Sequence, residues 1–152
     1  MRFLLLAIGR DRQGPTAELV GAYLKRCSWR VEAIDIPKRT QGDRERRLAD
    51  EALKIRQALP AGAALIALDE RGDDLSSREL AEQIKTFQDD GRQALAFVIG
   101  GADGLDPSLI KTANRCLAFG RAVWPHRLVK VMLAEQIYRA STILSGHPYH
   151  RD

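Results

Sequence analysis

The sequence predicts a single α/β domain built around a parallel β-sheet. Five short apolar runs alternate with segments of helical periodicity, and this alternation is typical of parallel strands joined by helices. Most of the runs are continuously apolar rather than alternately apolar and polar, which favours strands covered by helices on both faces. The chain has 152 residues, which is the length of one domain. We therefore assign residues 1–152 to one domain.

The individual elements can be assigned in order along the chain. Ser76 and Glu79 have the spacing of a capping box, and Pro107 stands where the first turn of a helix tolerates proline. The predicted strands cover residues 3–9, 31–36, 64–69, 95–100 and 117–123, and the predicted helices cover 16–26, 43–59, a segment from Ser76, a segment from Pro107 and about 126–144. The first helix places four apolar residues on one face, Leu19, Val20, Tyr23 and Leu24, and the second carries four among charged residues, Leu48, Leu53, Ile55 and Leu59.

The charge balance permits a nucleic-acid partner without requiring one. The net charge is +4, and residues 38–47 hold five basic side chains against two acidic ones. This segment is either a solvated loop that leads into a helix or a contact for phosphates. No apolar run approaches the length of a membrane span, and the N-terminal apolar run is too short for a signal peptide. We expect a cytoplasmic protein that does not associate with membranes.

Ligands of open α/β sheets bind at the carboxyl ends of the strands, so the loops there are the candidate site. The loop after the first strand has two glycines, Gly9 and Gly14, but it lacks the Lys-Ser/Thr pair of a nucleotide-binding P-loop. Glycines also mark the loops after the third, fourth and fifth strands, at Gly72, at residues 100–104 and at Gly120. These loops are either plain tight turns or the walls of a ligand site.

The C-terminal part has two unusual features. Helix five carries apolar residues on more than one face, which indicates either full burial or a contact with a second subunit. The last six residues combine His147, Tyr149, His150 and Arg151, and they either fray or stack on a base and contact phosphate. The two histidines have no acidic or thiolate companion, so we expect no metal site. Cys27 and Cys116 stand alone and are expected to be small core residues.

Several stretches together resemble the bacterial ribosomal large-subunit methyltransferase H family, a small branch of the SPOUT methyltransferases. The matching stretches are Leu68-Asp69 with Gly72, FVIGGADGL at 97–105, PHRLVKV at 125–131, AEQIYRA at 134–140 and HPYHR at 147–151. The resemblance covers the whole chain and is most specific in the C-terminal half. It implies a parallel-sheet SPOUT fold whose C-terminal part forms a trefoil knot, and it implies a homodimer.

The resemblance also implies a site for S-adenosylmethionine (SAM) in the loops after strands three, four and five. On this chain, the cofactor-binding residues would be Leu68, Gly100, Gly101, Gly120, Arg121, Ala122, Val123, Trp124 and Pro125. The C-terminal residues of one subunit would complete the site of the other. There Tyr149 would position the base, His150 would accept a proton and Arg151 would contact phosphate.

The implied activity is methylation of N3 of a pseudouridine in 23S ribosomal RNA, with the assembled ribosome as partner and without DNA. Two other functions stay open. A SPOUT enzyme acting on transfer RNA would have the same cofactor loops, and a basic α/β protein could bind ribosomes without catalysing any reaction.

Overall fold

The computed structural model describes residues 1–151, in which five strands alternate with five helices. Asp152, which the predicted domain includes, lies outside the described residues. The elements are β1 (Arg2–Ile8), α1 (Pro15–Arg26), β2 (Val31–Ile36), α2 (Arg44–Ala58), β3 (Ala64–Asp74), α3 (Ser77–Asp89), β4 (Ala94–Ile99), α4 (Pro107–Thr112), β5 (Arg115–Ala118) and α5 (His126–Ser145). The predicted α/β class is confirmed, and every predicted strand and helix has a counterpart.

The five strands form one parallel sheet in the order β2-β1-β4-β3-β5. Successive residues of β1 point to opposite faces, so Phe3 and Leu5 join one core cluster and Leu4 and Leu6 join the other. Helices α1, α3 and α5 cover the first face, and α2 and α4 cover the second. Two buried faces explain why the strands read as continuous apolar runs.

Strand β3 pairs twice with the edge strand β5. Both Leu68 and Asp73 are register partners of Leu117, so residues 69–72 bulge out between the two pairings. Gly72 lies directly on the backbone of β5, because a Cβ atom there would stand 2.7 Å from backbone atoms of Cys116 and Leu117. The two chain segments can approach this closely only because Gly72 has no side chain.

The bounds predicted for the fifth strand, residues 117–123, were wrong. The strand covers Arg115–Ala118, whereas residues 119–125 form a loop. Gly120 has a φ of 77°, and Val123, the last residue of the predicted strand, is 79% exposed rather than packed in the sheet. The apolar side chains of this loop line a cleft, and a window of apolar residues does not distinguish that use from a strand.

The local signals at helix starts were accurate. Ser76 and Glu79 form the predicted capping box of α3, and Pro107 is the first residue of α4. Two apolar side chains of the first two helices lie outside the core, because Leu19 of α1 and Leu53 of α2 are 47% and 54% exposed. No helix among residues 1–151 is long and apolar enough to cross a membrane.

Both cysteines are free and half-buried. Cys27 packs against the core cluster on the α1, α3 and α5 face, and Cys116 packs against the cluster on the other face. This agrees with their predicted use as small core residues.

Candidate active site

A cleft of about 1470 Å³ opens at the carboxyl ends of β3, β4 and β5, where ligands of parallel sheets bind. Its walls are the loops that follow these three strands, with the first turns of α2 and α5. Eight of the nine predicted cofactor residues line it, namely Leu68, Gly100, Gly101, Gly120, Ala122, Val123, Trp124 and Pro125. Arg121 does not line the cleft, and its side chain is exposed on the outer side of the loop.

The loop after β4 is a tight turn that only glycine permits. A Cβ atom on Gly100 would stand 2.5 Å from the backbone of Gly104, and one on Gly101 would stand 3.2 Å from Ile8. Gly101 and Gly104 form an antiparallel bridge, and the amide of Gly104 donates to the carbonyl of Gly101 at 3.0 Å. Gly100 therefore has a structural role, while Gly101 leaves backbone exposed along the cleft.

Two arginines of α2 hold this loop from the side. Arg47 Nη2 lies 3.1 Å from Asp103 Oδ2, and Arg44 Nη2 donates to the backbone carbonyl of Asp103 at 3.1 Å. In the same basic segment, Arg39 pairs with Asp50 at 3.3 Å. Three of the five basic side chains of residues 38–47 are thus engaged within the chain, which leaves Lys38 and Arg46 as its candidates for a phosphate contact.

The loop after β5 is held at both of its ends. The amide of Gly120 donates to Asp74 Oδ1 at 3.2 Å, and Trp124 Nε1 donates to the carbonyl of Phe119 at 3.0 Å. These bonds fold residues 119–124 over the cleft and leave the Trp124 ring as an apolar wall. Leu68 provides a second apolar wall on the β3 side.

The carboxylate of Asp69 adds a negative charge to the β3 side of the cleft. Arg71 Nε donates to Asp69 Oδ1 at 2.9 Å, and this hydrogen bond, more than any other interaction, lowers the pKa of the Asp69 carboxyl. Asp69 is therefore ionised at neutral pH and can accept hydrogen bonds from a ligand.

His126, the first residue of α5, lines the same cleft. Burial lowers the pKa of its imidazole, and the neighbouring cations Arg127 and Lys38 lower this pKa further while Asp11 opposes them. No functional role was predicted for His126 from the sequence. The available signal was its place directly after the predicted cofactor loop, at the start of the long helix.

A buried ion pair fixes the start of α5 beside the cleft. Lys130 Nζ lies 2.6 Å from Asp35 Oδ1 at the end of β2, and the two side chains are 7% and 12% exposed. Asp35 Oδ2 also accepts from the amide of Asp11 at 3.2 Å. Lys130 and Asp35 are 95 positions apart in the sequence, so no local spacing could indicate this ion pair.

The C-terminal tail, residues 146–151, does not reach the cleft of its own chain. Tyr149 packs on Tyr138 of α5 with ring centroids 4.6 Å apart, and His150 Nδ1 lies 3.3 Å from Arg139 Nη1. Arg151 is exposed. Glu135, which bonds the Tyr149 hydroxyl, lies nine residues along α5 from His126, or roughly 14 Å at 1.5 Å per residue. The structure thus brings the predicted cofactor residues together and keeps the predicted tail residues apart from them.

Among residues 1–151, no three His, Cys, Asp or Glu side chains are grouped so that they could hold a metal ion. His147 and His150 stay in the tail, where the ring of His147 accepts from the amide of Tyr149 at 3.2 Å.

Comparison with known proteins assigns the class. A family model described as a predicted SPOUT methyltransferase matches residues 1–150. A solved probable methylase family protein from Haemophilus influenzae superposes with a TM-score of 0.61 at 12% identity, over 99% of this chain and 70% of the other. A probable methyltransferase from Bordetella pertussis gives 0.59 at 15% identity, over 92% and 95%. At these identities the two structures support the fold alone, and the family model defines the class as SPOUT methyltransferases.

More similar relatives define the family within that class. The ribosomal RNA large subunit methyltransferase H of Paracoccus denitrificans is 51% identical over 100% of both chains. The protein of the same name from Ruegeria pomeroyi is 51% identical over 99% of both chains. The chain therefore belongs to the ribosomal RNA large subunit methyltransferase H family of SPOUT methyltransferases.

Proposed function

We propose that this chain methylates N3 of a pseudouridine in 23S ribosomal RNA, with SAM bound in the cleft and the assembled ribosome as substrate. The observation that carries the proposal is the cleft at the ends of β3, β4 and β5, which gathers eight of the nine residues expected to bind the cofactor. Family membership supports ribosomal RNA over transfer RNA as the substrate.

The residues of the cleft fit SAM in size and in chemistry. Ligand sites are concave, largely apolar and carry a few placed polar groups, and this cleft is large enough for a nucleoside with an amino-acid side chain. Leu68 and Trp124 would provide apolar walls for an adenine ring, while the backbone at Gly101 and along residues 120–125 would provide hydrogen bonds. Asp69 would accept from a ribose hydroxyl or an amino group. Bound there, SAM supplies an electrophilic methyl group on a sulfonium.

The protein has to remove a proton from N3 and to align the nitrogen with the methyl group. The N3–H bond breaks, its proton passes to a base, and the nitrogen lone pair then forms the new N–CH₃ bond as the C–S bond breaks. We assign the base to His126, because its imidazole lines the cleft and its lowered pKa keeps it neutral at pH 7. The cations Arg127 and Lys38 beside His126 would stabilise the negative charge that the pseudouridine ring carries once N3 has lost its proton.

The tail residues would contact the nucleotide from the other side. Tyr149 would orient the base and Arg151 would contact phosphate. An arginine side chain can only donate hydrogen bonds, so His150 Nδ1 must accept the one from Arg139. In the neutral His150 ring the proton is therefore on Nε2. For this reason we assign His150 a hydrogen-bond donor role toward the imide rather than the proton-acceptor role that the sequence suggested.

A homodimer would bring these two halves together. The tail is held roughly 14 Å along α5 from its own cleft, so its side chains serve a cleft only if that cleft belongs to a second subunit. Leu19 on α1, Leu128 on α5 and the neighbouring Val123 and Trp124 are exposed apolar side chains, and burial of such groups drives subunit association. Because ribosomes are the proposed substrate, we place the dimer in the cytoplasm.

We also propose the C-terminal trefoil knot of the SPOUT fold. Its support is the double pairing of Leu117 with Leu68 and Asp73, together with the close packing of Gly72 on β5. Residues 69–72 would then wrap around β5, so that the chain after β5 passes through a loop. Such threading is rare among folds in general.

Mass mapping of ribosomal RNA tests the substrate. Ribosomes from a strain that lacks this gene should miss one methylated pseudouridine in 23S RNA, and the purified protein with SAM should restore it. Loss of a methyl group from transfer RNA instead would contradict the proposal.

Calorimetry with SAM separates an enzyme from a protein that only binds ribosomes. Saturable binding at one site per chain is expected, and its absence would favour the non-catalytic alternative. Ala122→Glu should weaken binding strongly, because it adds a long charged side chain to the wall of the cleft. Ala61→Glu, the same change at an exposed turn outside the cleft, is the matched control.

A further inference from the structure

The tail is attached to the helices of its own chain by a defined set of contacts. The Tyr149 hydroxyl donates to Glu135 Oε1 at 3.0 Å. The guanidinium of Arg139 lies 4.7 Å from the centre of the Tyr149 ring, and that of Arg26 on α1 lies 5.4 Å from it. Tyr138 packs on a third side of the ring. A tail that frayed would make none of these contacts.

Glu135 and Arg139 connect these contacts to each other. They are one turn apart on α5, and Arg139 Nη2 and Nε donate to Glu135 Oε1 at 2.6 and 3.0 Å. The same oxygen accepts from Tyr149, while Arg139 Nη1 contacts His150. The side chains of Arg139 and Glu135 are 25% and 16% exposed, so water competes with these charge-assisted bonds only in part.

On α5 the tail contacts residues of the stretch AEQIYRA at 134–140, and no residue of this stretch lines the cleft. None of Glu135, Tyr138 and Arg139 lines the cleft, and all three touch the tail. Packing of α5 on the sheet does not require a carboxylate and an arginine at these positions, since that face of the helix is formed by residues such as Leu133 and Ile137.

We propose that Glu135 and Arg139 are positioning residues that hold Tyr149 and His150 of the tail in the orientation in which they serve the partner subunit's cleft. This inference rests on the proposed function, because it requires that the tail acts on the substrate. Glu135 fixes the Tyr149 hydroxyl, and Arg139 fixes the ring plane and the tautomer of His150. The docked tail is thus the working conformation of the tail.

The test compares Tyr149→Phe, which keeps the ring and removes the bond to Glu135, with Glu135→Gln, which removes the charge that orients Arg139. Hydrogen–deuterium exchange of the C-terminal peptide reports whether the tail is docked. Turnover of ribosomes reports whether it works, and calorimetry with SAM reports whether the cleft is intact. Asp89→Asn is the control, because it breaks an exposed pair of the same i,i+4 spacing, Lys85–Asp89 on α3.

We expect both variants to exchange faster at the tail and to lose at least about tenfold in kcat/KM for ribosomes, as the loss of a charge-assisted hydrogen bond implies. Their affinity for SAM should stay within about twofold of the unmodified protein, which also shows that they fold. Arg139→Lys should give tail exchange and turnover between those of the unmodified protein and those of the two variants. It keeps the positive charge but loses the branched guanidinium that reaches both Glu135 and His150. Asp89→Asn should change none of the three measurements.

Unchanged exchange and unchanged turnover in both variants would overturn the inference. So would an increase in turnover, because the docked tail would then be an inactive, parked state. A chain with Tyr149→Ala, His150→Ala and Arg151→Ala separates these results from a failure of the proposed function. If that chain is inactive while Glu135→Gln is fully active, only the positioning inference fails; if it is fully active, the proposed role of the tail fails.

Discussion

The two ends of helix α5 carry the two parts of the proposed active site, and they are held in place by different means. At its start, the buried pair Lys130–Asp35 ties the helix to the end of β2, beside the cleft. Toward its other end, the partly exposed side chains of Glu135 and Arg139 hold the tail. Removal of one partner from a fully buried ion pair costs several kcal/mol, and this cost falls as water gains access to the pair. The cleft is therefore coupled to the stability of the fold, and the tail can be disturbed without unfolding the protein.

Breaking the pair at the start of α5 should have the largest effect on stability. Asp35→Asn leaves the Lys130 ammonium buried without a counter-ion, and we expect a loss of about 3 kcal/mol or more in the free energy of unfolding. Denaturant titration measures it. The matched control is Asp50→Asn, whose partner Arg39 is 47% exposed, and its cost should stay below about 1 kcal/mol. Equal losses in the two variants would mean that the Lys130–Asp35 pair is not the anchor of the cleft end.

Removal of the proposed base should act on chemistry and leave stability almost unchanged. His126→Gln should lower kcat about a hundredfold or more, within the range of general base catalysis, with SAM affinity retained. Because the pKa of His126 is lowered from 6.5, the imidazole is protonated and inactive only in more acidic solution. The rate of the unmodified protein should therefore rise with pH below 6.5, and the variant should lose this acid limb. A pH profile that is identical in both proteins would exclude His126 as the base.

A methyl group added where β3 crosses β5 should destabilise the cleft side directly. Gly72→Ala places a Cβ 2.7 Å from the backbone of Cys116 and Leu117, and overpacking of this kind costs about 1–3 kcal/mol. Gly21→Ala on α1 meets nothing within 4 Å and should be neutral or stabilising, since alanine favours a helix over glycine. Thermal denaturation of the two variants gives the comparison, and a Gly72→Ala protein as stable as Gly21→Ala would contradict the close crossing.

The smallest expected effect concerns Arg46, which adjoins the cleft residues Arg44 and Glu45 in the sequence. Arg46→Gln should weaken ribosome binding modestly and reduce the slope of log affinity against log salt by about one phosphate contact or less. Arg30→Gln, an exposed arginine before β2 at the opposite edge of the sheet, is the control and should leave the slope unchanged. If Arg30→Gln changed the slope more than Arg46→Gln, the RNA would bind near Arg30 and away from the proposed cleft.

Local patterns in the sequence were sufficient for the elements and for the location of the cleft. Apolar runs and cap signals located the helices and strands, and the rule that ligands bind at the carboxyl ends of parallel strands selected the loops that line the cleft. They failed where an apolar residue is used outside the core. Leu53 is exposed on α2, and Val123 is exposed in a loop although it was predicted as the end of a strand. Composition reports that a residue is apolar and does not report which surface covers it.

The sequence by itself determined the α/β class, the parallel sheet and the family, because all three depend on short-range periodicity or on matching stretches. Only the tertiary structure decided that Lys130 meets Asp35 across 95 positions, that His126 faces the cleft, and that Tyr149 bonds Glu135 on its own helix. Contacts between distant residues depend on how the helices pack against the sheet, and no spacing along the chain encodes that packing.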